Sequence, residues 1–179
     1  MRKIIWPFGL LSGLIIGSGF FINVGNSDLN SGSSEILRYL FMILVFGLIL
    51  YFAVRLLQQK IFLGEINFSR AFIGGFYIVL IASVVYALMW ELYFANHGHE
   101  YVSDYLAEMK ERLDASSLGQ LEIESRYTNQ KQIMQSYEDS FLVRFGLTTA
   151  EIFPIGLIIA LANAFYYSVL ARKTEKSHL

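Results

Sequence analysis

The sequence predicts an all-α integral membrane protein of four transmembrane helices, with an extracytoplasmic helical hairpin between the third and fourth. Three observations carry that prediction. In 179 residues, 55% are hydrophobic and 16% aromatic while only 16% are charged, a balance far from that of a soluble domain. The apolar residues gather into four continuous runs near the roughly 20 residues a helix needs to cross the hydrocarbon layer. These runs do not alternate as barrel strands would, so helices that satisfy their own backbone hydrogen bonds are expected. One membrane domain over residues 1–179 follows, with spans at about 4–24, 36–57, 71–94 and 145–171 and an outer insert at about 95–144.

The first span follows Arg2 and Lys3 and lacks a small-residue cleavage pattern at its end, so it is expected to remain as a span. Within it "GLLSGLIIG" places Gly9, Gly13 and Gly17 four apart beside Ser12, a groove into which another helix can pack closely. Both an intramolecular helix and a second copy of the chain would fit such a groove. The second span has Arg38 and Arg55 near its ends, where long side chains can reach the headgroups. The third ends in "YALMWELYFANHGHE", which puts Glu91 about one turn from its outer end.

The outer insert has helical periodicity of its own. In "HEYVSDYLAEMKERL" Tyr101, Tyr105, Met109 and Leu113 recur every four residues with Val102 and Leu106 alongside. After the turn "DASSLG" a weaker stripe runs through Leu121, Tyr127, Met134 and Tyr137. The hairpin is expected to pack over the outer ends of the spans; the alternative is a surface for a protein partner or for lipid headgroups. Arg2, Lys3, Arg55, Lys60, Arg70, Arg172, Lys173 and Lys176 fall on one side of an even number of spans. The positive-inside rule makes that side cytoplasmic, with both termini there. The linker "GNSDLNSGSSE" and the insert then lie outside.

The fourth span contains Glu151 and Pro154. Arg144, Thr148 and Glu151 sit at i, i+4 and i+7, one polar face of a helix. Glu151 falls about 10 Å along the axis from Arg144, below the interface. An unpaired carboxylate there costs on the order of 2 to 3 kcal/mol, which favours a partner, a proton or a wet cavity. Pro154 cannot donate to the carbonyl of Ala150, so a helix kink is expected beside the acid. In a compact bundle Arg38, Glu91, Arg144, Thr148 and Glu151 converge on the outer leaflet. An interhelical Arg/Glu network fixing helix register is the first expectation. The alternative is a proton or cation site built on Glu91 and Glu151, as in a small transporter.

Several function classes have no residues to carry them. A net charge of −1 without a clustered basic surface excludes broad nucleic-acid binding, and zero cysteines exclude disulfides and thiolate metal sites. His97 and His99 form an H-x-H in the glycine-containing loop "ANHGH" expected after the third span, weak metal candidates beside Glu91 or Glu100, and no metal or cofactor is expected. Neither G-x-S-x-G nor a phosphate-binding G-x-x-x-x-G-K-[ST] occurs, so no enzymatic activity is expected. The partners expected are the bilayer, a protein at the outer hairpin and a second copy of the chain.

The segments "GEINFSRAFIGGF", "YALMWELYF" and "RFGLTTAEIFPIGLIIAL", in that order, resemble the bacterial four-span membrane family catalogued as domain of unknown function 4199. The resemblance covers nearly the whole chain. It implies a small helical membrane protein with an outer helical insert and no established activity. Its characteristic positions fall on Gly64, Phe68, Ala71, Phe72, Gly75, Trp90, Glu91, Glu151, Pro154 and Gly156. A non-enzymatic structural or accessory membrane protein is therefore the expected function.

Overall fold

A computed structural model describes residues 1–22 and 32–176, with side chains described over 1–21 and 36–169. Residues 25–31 of the expected outer linker, the end of the first span at Val24 and the side chains of Arg172, Lys173 and Lys176 lie outside the described residues, whereas the linker's last four residues, 32–35, form the start of the second span's helix. Five helices follow one another: α1 (Arg2–Ile22), α2 (Gly32–Lys60), α3 (Phe68–Asp114), α4 (Gln120–Asp139) and α5 (Phe141–Lys176). No strand occurs among the described residues. Four of the helices, α1, α2, α3 and α5, are long and apolar enough to cross a membrane.

The chain forms two compact units, Met1–Met89 with Thr149–Leu179, and Trp90–Thr148. In the first unit all four apolar helices contribute to one core. Ile16 of α1, Phe46 and Leu50 of α2, Ile78, Ala82 and Tyr86 of α3, and Ile152 and Ala160 of α5 are buried together. Small residues set how closely these helices approach. A Cβ on Gly9, Gly13 or Gly17 would lie 2.7, 2.6 or 2.8 Å from the Cβ of Ile81, Val85 or Met89, so the glycine groove of α1 is filled by α3. Gly156 of α5 likewise receives Val79 and Phe46, and Gly75 of α3 faces Ala160. The outward faces stay apolar: Leu37, Leu44 and Leu48 of α2 and Ile158 and Phe165 of α5 are exposed. That is the composition a helix needs where its solvent is lipid.

The α2–α3 connection is fixed by its own hydrogen bonds. Leu63 and Gly64 take positive φ of 51° and 98°, a conformation that favours glycine at the second position. The Gly64 N–H donates to the Gln58 carbonyl at 2.9 Å, and Gln58 Nε2 donates to the Gly64 carbonyl at 2.8 Å. Asn67 then caps α3, its Oδ1 accepting from the Arg70 N–H at 3.0 Å. Ile66 and Ala71 are buried beside Leu57, Ala164 and Tyr167, a second apolar cluster of this unit.

The second unit joins the C-terminal part of α3, α4 and the first turns of α5. Here the structure differs from the sequence expectation: no break separates the third span from the insert, because α3 runs 47 residues without interruption. Asn96 and Gly98 were expected in a loop. Instead Asn96 Nδ2 donates to the Leu92 carbonyl at 3.1 Å, and Gly98 accommodates the Phe94 ring, whose Cε1 stands 2.5 Å from where a Cβ would be. Packing thus overrides two weak helix formers. The turn at 115–119 reverses the chain, and α4 pairs antiparallel with α3. Gln130 Nε2 donates to the Tyr105 hydroxyl at 3.0 Å, Lys110 lies over the Tyr127 ring, and His99 meets Glu138. On α4 the buried positions are Ile123 and Met134, whereas Leu121, expected in the apolar stripe, is 84% exposed. Leu121 is the second residue of the helix, next to the turn, and Ile123 takes the inward position.

Candidate functional site

The ionisable residues singled out from the sequence form two ion pairs, one in each unit. In the second unit Glu91 of α3 meets Arg144 of α5. Arg144 Nε donates to both Glu91 carboxylate oxygens at 3.1 and 3.2 Å, and Nη2 donates to Oε2 at 2.9 Å. Nη1 turns to backbone, donating to the carbonyls of Tyr137 at 3.0 Å and Glu138 at 2.6 Å. Those carbonyls belong to the last turn of α4, whose acceptors have no further helical N–H. A guanidinium also carries the charge that a helix C-terminus favours.

Local geometry explains how Arg144 reaches them. Ser140 alone separates α4 from α5: its N–H closes α4 onto the Ser136 carbonyl at 3.2 Å, and its Oγ accepts from the Val143 N–H at 3.4 Å, capping α5. Arg144 sits one turn into α5, close enough to fold back over the end it follows. The guanidinium carbon lies 4.4 Å from the centre of the Phe94 ring, so one face is covered as well. The Arg144 and Glu91 side chains are only 12% and 14% exposed. Around them Phe94 packs edge-on against Tyr137 and beside Trp90. Burial raises the Tyr137 phenol above its ordinary pKa of 10.0, opposed by hydrogen bonds with Thr148 and Trp90.

In the first unit Glu151 of α5 meets Arg38 of α2, and the contact is looser. Arg38 Nη2 lies 3.3 Å from Glu151 Oε1, and the Tyr39 hydroxyl donates to the same oxygen at 3.4 Å. The Arg38 guanidinium also leans over the Tyr39 ring at 5.3 Å. These side chains are 44% and 30% exposed, against the near-complete enclosure of the other pair. Oε2 of Glu151 has no hydrogen bond among the described residues. Pro154, one turn on, lies inside α5, which continues through it.

Thr148 is buried in the second unit. His97 Nδ1 faces the Tyr93 carbonyl and His99 Nδ1 faces Glu138 Oε1, each at 3.3 Å. Among the described residues no group of three or more His, Asp or Glu side chains is placed to hold a metal ion. Tyr39, Phe94 and the carbonyls of Tyr137 and Glu138 join the paired residues in the site without being among the sequence candidates. Tyr39 could have been found as the neighbour of Arg38, and Phe94 as the residue one turn after Glu91. The carbonyls have no sequence signal other than the small polar Ser140 that ends α4.

Four membrane-length helices carrying paired charges define a multi-pass helical membrane protein. The chain belongs to the family described as "Protein of unknown function (DUF4199)", whose match covers residues 7–167. Neither the comparison with curated proteins nor that with solved structures returned a match.

Proposed function

We propose that the chain is a non-enzymatic structural or accessory protein of the bacterial inner membrane. Both termini are cytoplasmic in this reading, and the antiparallel pair of α3 and α4 is an extracytoplasmic module that contacts a partner protein or a second copy. The observation that carries the reading is the enclosure of Arg144. Four of its five N–H groups are directed at Glu91 and at two α4 carbonyls of the same chain, and its side chain is only 12% exposed. A conducting or catalytic ionisable group needs a ligand position that can be vacated and refilled, and a guanidinium held this way is suited to bracing. The orientation is supported by the eight basic residues that the four-span topology gathers on one side.

One observation favours the alternative, a proton- or cation-binding protein: among the described residues Glu151 keeps a carboxylate oxygen without a hydrogen bond, and its side chain is partly exposed. Reconstitution into liposomes with a pH-sensitive dye inside separates the two readings. The structural reading expects the same proton and cation leak from wild type and from Glu151→Gln. A flux that Glu151→Gln or Glu91→Gln abolishes would replace it. The orientation is tested by Ser117→Cys, since the chain has no native cysteine. An impermeant thiol reagent should label it in cells whose outer membrane is permeabilised and whose inner membrane is intact. Labelling only after lysis would reverse the topology.

A further inference from the structure

We propose that the open ion pair of Arg38 and Glu151 holds the headgroup of a phosphoethanolamine lipid, the phosphate on Arg38 and the primary ammonium on Glu151. The inference rests on insertion of the four apolar helices in a bilayer and not on the accessory role, which stands on Arg144. Opposite charges 3.3 Å apart with side chains 44% and 30% exposed present both signs to whatever surrounds α2 and α5. In a membrane that surrounding is lipid, and hydrocarbon cannot solvate either group. A zwitterionic headgroup with an anion and a hydrogen-bonding cation on adjacent atoms complements both at once. Tyr39 and Arg38 crowd Oε1, which leaves Oε2, with no hydrogen bond among the described residues, to accept from the ammonium.

The helix surfaces below the pair suit the acyl chains. On α2, Phe41 and Leu48 lie three and ten residues beyond Arg38, and both are exposed. On α5, Pro154, Ile158 and Phe165 lie three, seven and fourteen residues beyond Glu151, one exposed face by helical periodicity. Fourteen residues span about 21 Å. That exceeds the roughly 15 Å of hydrocarbon in one leaflet, half of a 30 Å core. Other headgroups match less well. A trimethylammonium has no N–H to give to Oε2, and a glycerol headgroup brings no cation to a carboxylate that repels its phosphate.

The test is native mass spectrometry of the detergent-purified chain with dioleoyl lipids added singly. Wild type should retain phosphatidylethanolamine about tenfold over phosphatidylcholine, the scale of one charge-assisted hydrogen bond. It should also prefer phosphatidylethanolamine to phosphatidylglycerol. Glu151→Gln should erase the preference over phosphatidylcholine while raising phosphatidylglycerol retention, and Arg38→Gln should lower retention of all three. Equal retention of phosphatidylethanolamine and phosphatidylcholine by wild type would overturn the proposal. So would a preference that survives Glu151→Gln. The wild-type comparison needs no variant, so a misfolded Arg38→Gln leaves the decision intact.

Discussion

Removing the Arg144 side chain should destabilise the second unit more than any other single neutralisation in the chain. In Arg144→Gln the Glu91 carboxylate, 14% exposed, loses three N–H contacts, and the Tyr137 and Glu138 carbonyls lose their shared donor. Stranding one member of an enclosed pair costs about 3–5 kcal/mol, and the lost carbonyl acceptors and Phe94 contact place this variant at the upper end. Glu91→Gln removes the same ion pair but leaves Arg144 its two carbonyls, so it should cost less. The double variant should be less damaged than the sum of the two, with a coupling of about 2 kcal/mol. The assay is denaturant unfolding in mild detergent followed by tryptophan fluorescence. The chain has two tryptophans, and Trp6→Phe leaves Trp90, which stacks on Tyr93 at 5.4 Å beside the pair, as sole reporter. Coupling under about 0.5 kcal/mol, the limit for independent sites, would refute the brace. A larger loss for Glu91→Gln than for Arg144→Gln would refute the role of the α4 carbonyls.

Gly13→Leu should lower the unfolding midpoint, because its Cβ alone would stand 2.6 Å from Val85 Cβ and 2.7 Å from the Ala82 carbonyl. The expected cost is about 1–3 kcal/mol. Leu14→Ile, at a 48% exposed position, should be nearly silent, and equal midpoints for the two variants would deny the α1–α3 contact. Tyr137 predicts an alkaline limit. Its folded-state pKa is raised above 10.0, so the stability it contributes is complete below pH 10 and is lost as pH rises through the folded value. Hydrogen exchange of α4 should therefore accelerate above about pH 10 in wild type and less so in Tyr137→Phe, after correction for the intrinsic rate. Identical acceleration in both would remove Tyr137 from the account.

The four spans were legible because each is a long apolar run, and hydrophobic length is a local property. The glycine groove was legible as a feature, though its occupant was not: nothing in "GLLSGLIIG" distinguishes Ile81, Val85 and Met89 from a second copy of α1. The continuation of the helix beyond the third span was not legible, for a physical reason. Hydropathy falls after Phe94, and Asn96 and Gly98 are poor helix formers, which together resemble a loop. The helix persists because Asn96 bonds back to Leu92 and the absent Cβ of Gly98 makes room for Phe94.

Pairing is where local reasoning stops. Two carboxylates and two arginines on three helices permit more than one assignment, and periodicity on α5 alone favours neither. Arg144 and Glu151 lie on one face of α5, yet each takes its partner from a different helix, α3 for Arg144 and α2 for Glu151. What decides for Arg144 is the single-residue junction at Ser140, since a guanidinium one turn into α5 can return to the carbonyls that end α4 only when the junction is that short. Lengthening it tests this logic directly. Two glycines inserted after Ser140 would keep both Arg144 and Glu91 but break the geometric relation between α4 and the guanidinium. If the junction sets the site, the insertion should reproduce most of the Arg144→Gln loss of α4 protection in hydrogen exchange. An insertion variant with wild-type protection would show that Arg144 and Glu91 find each other without it.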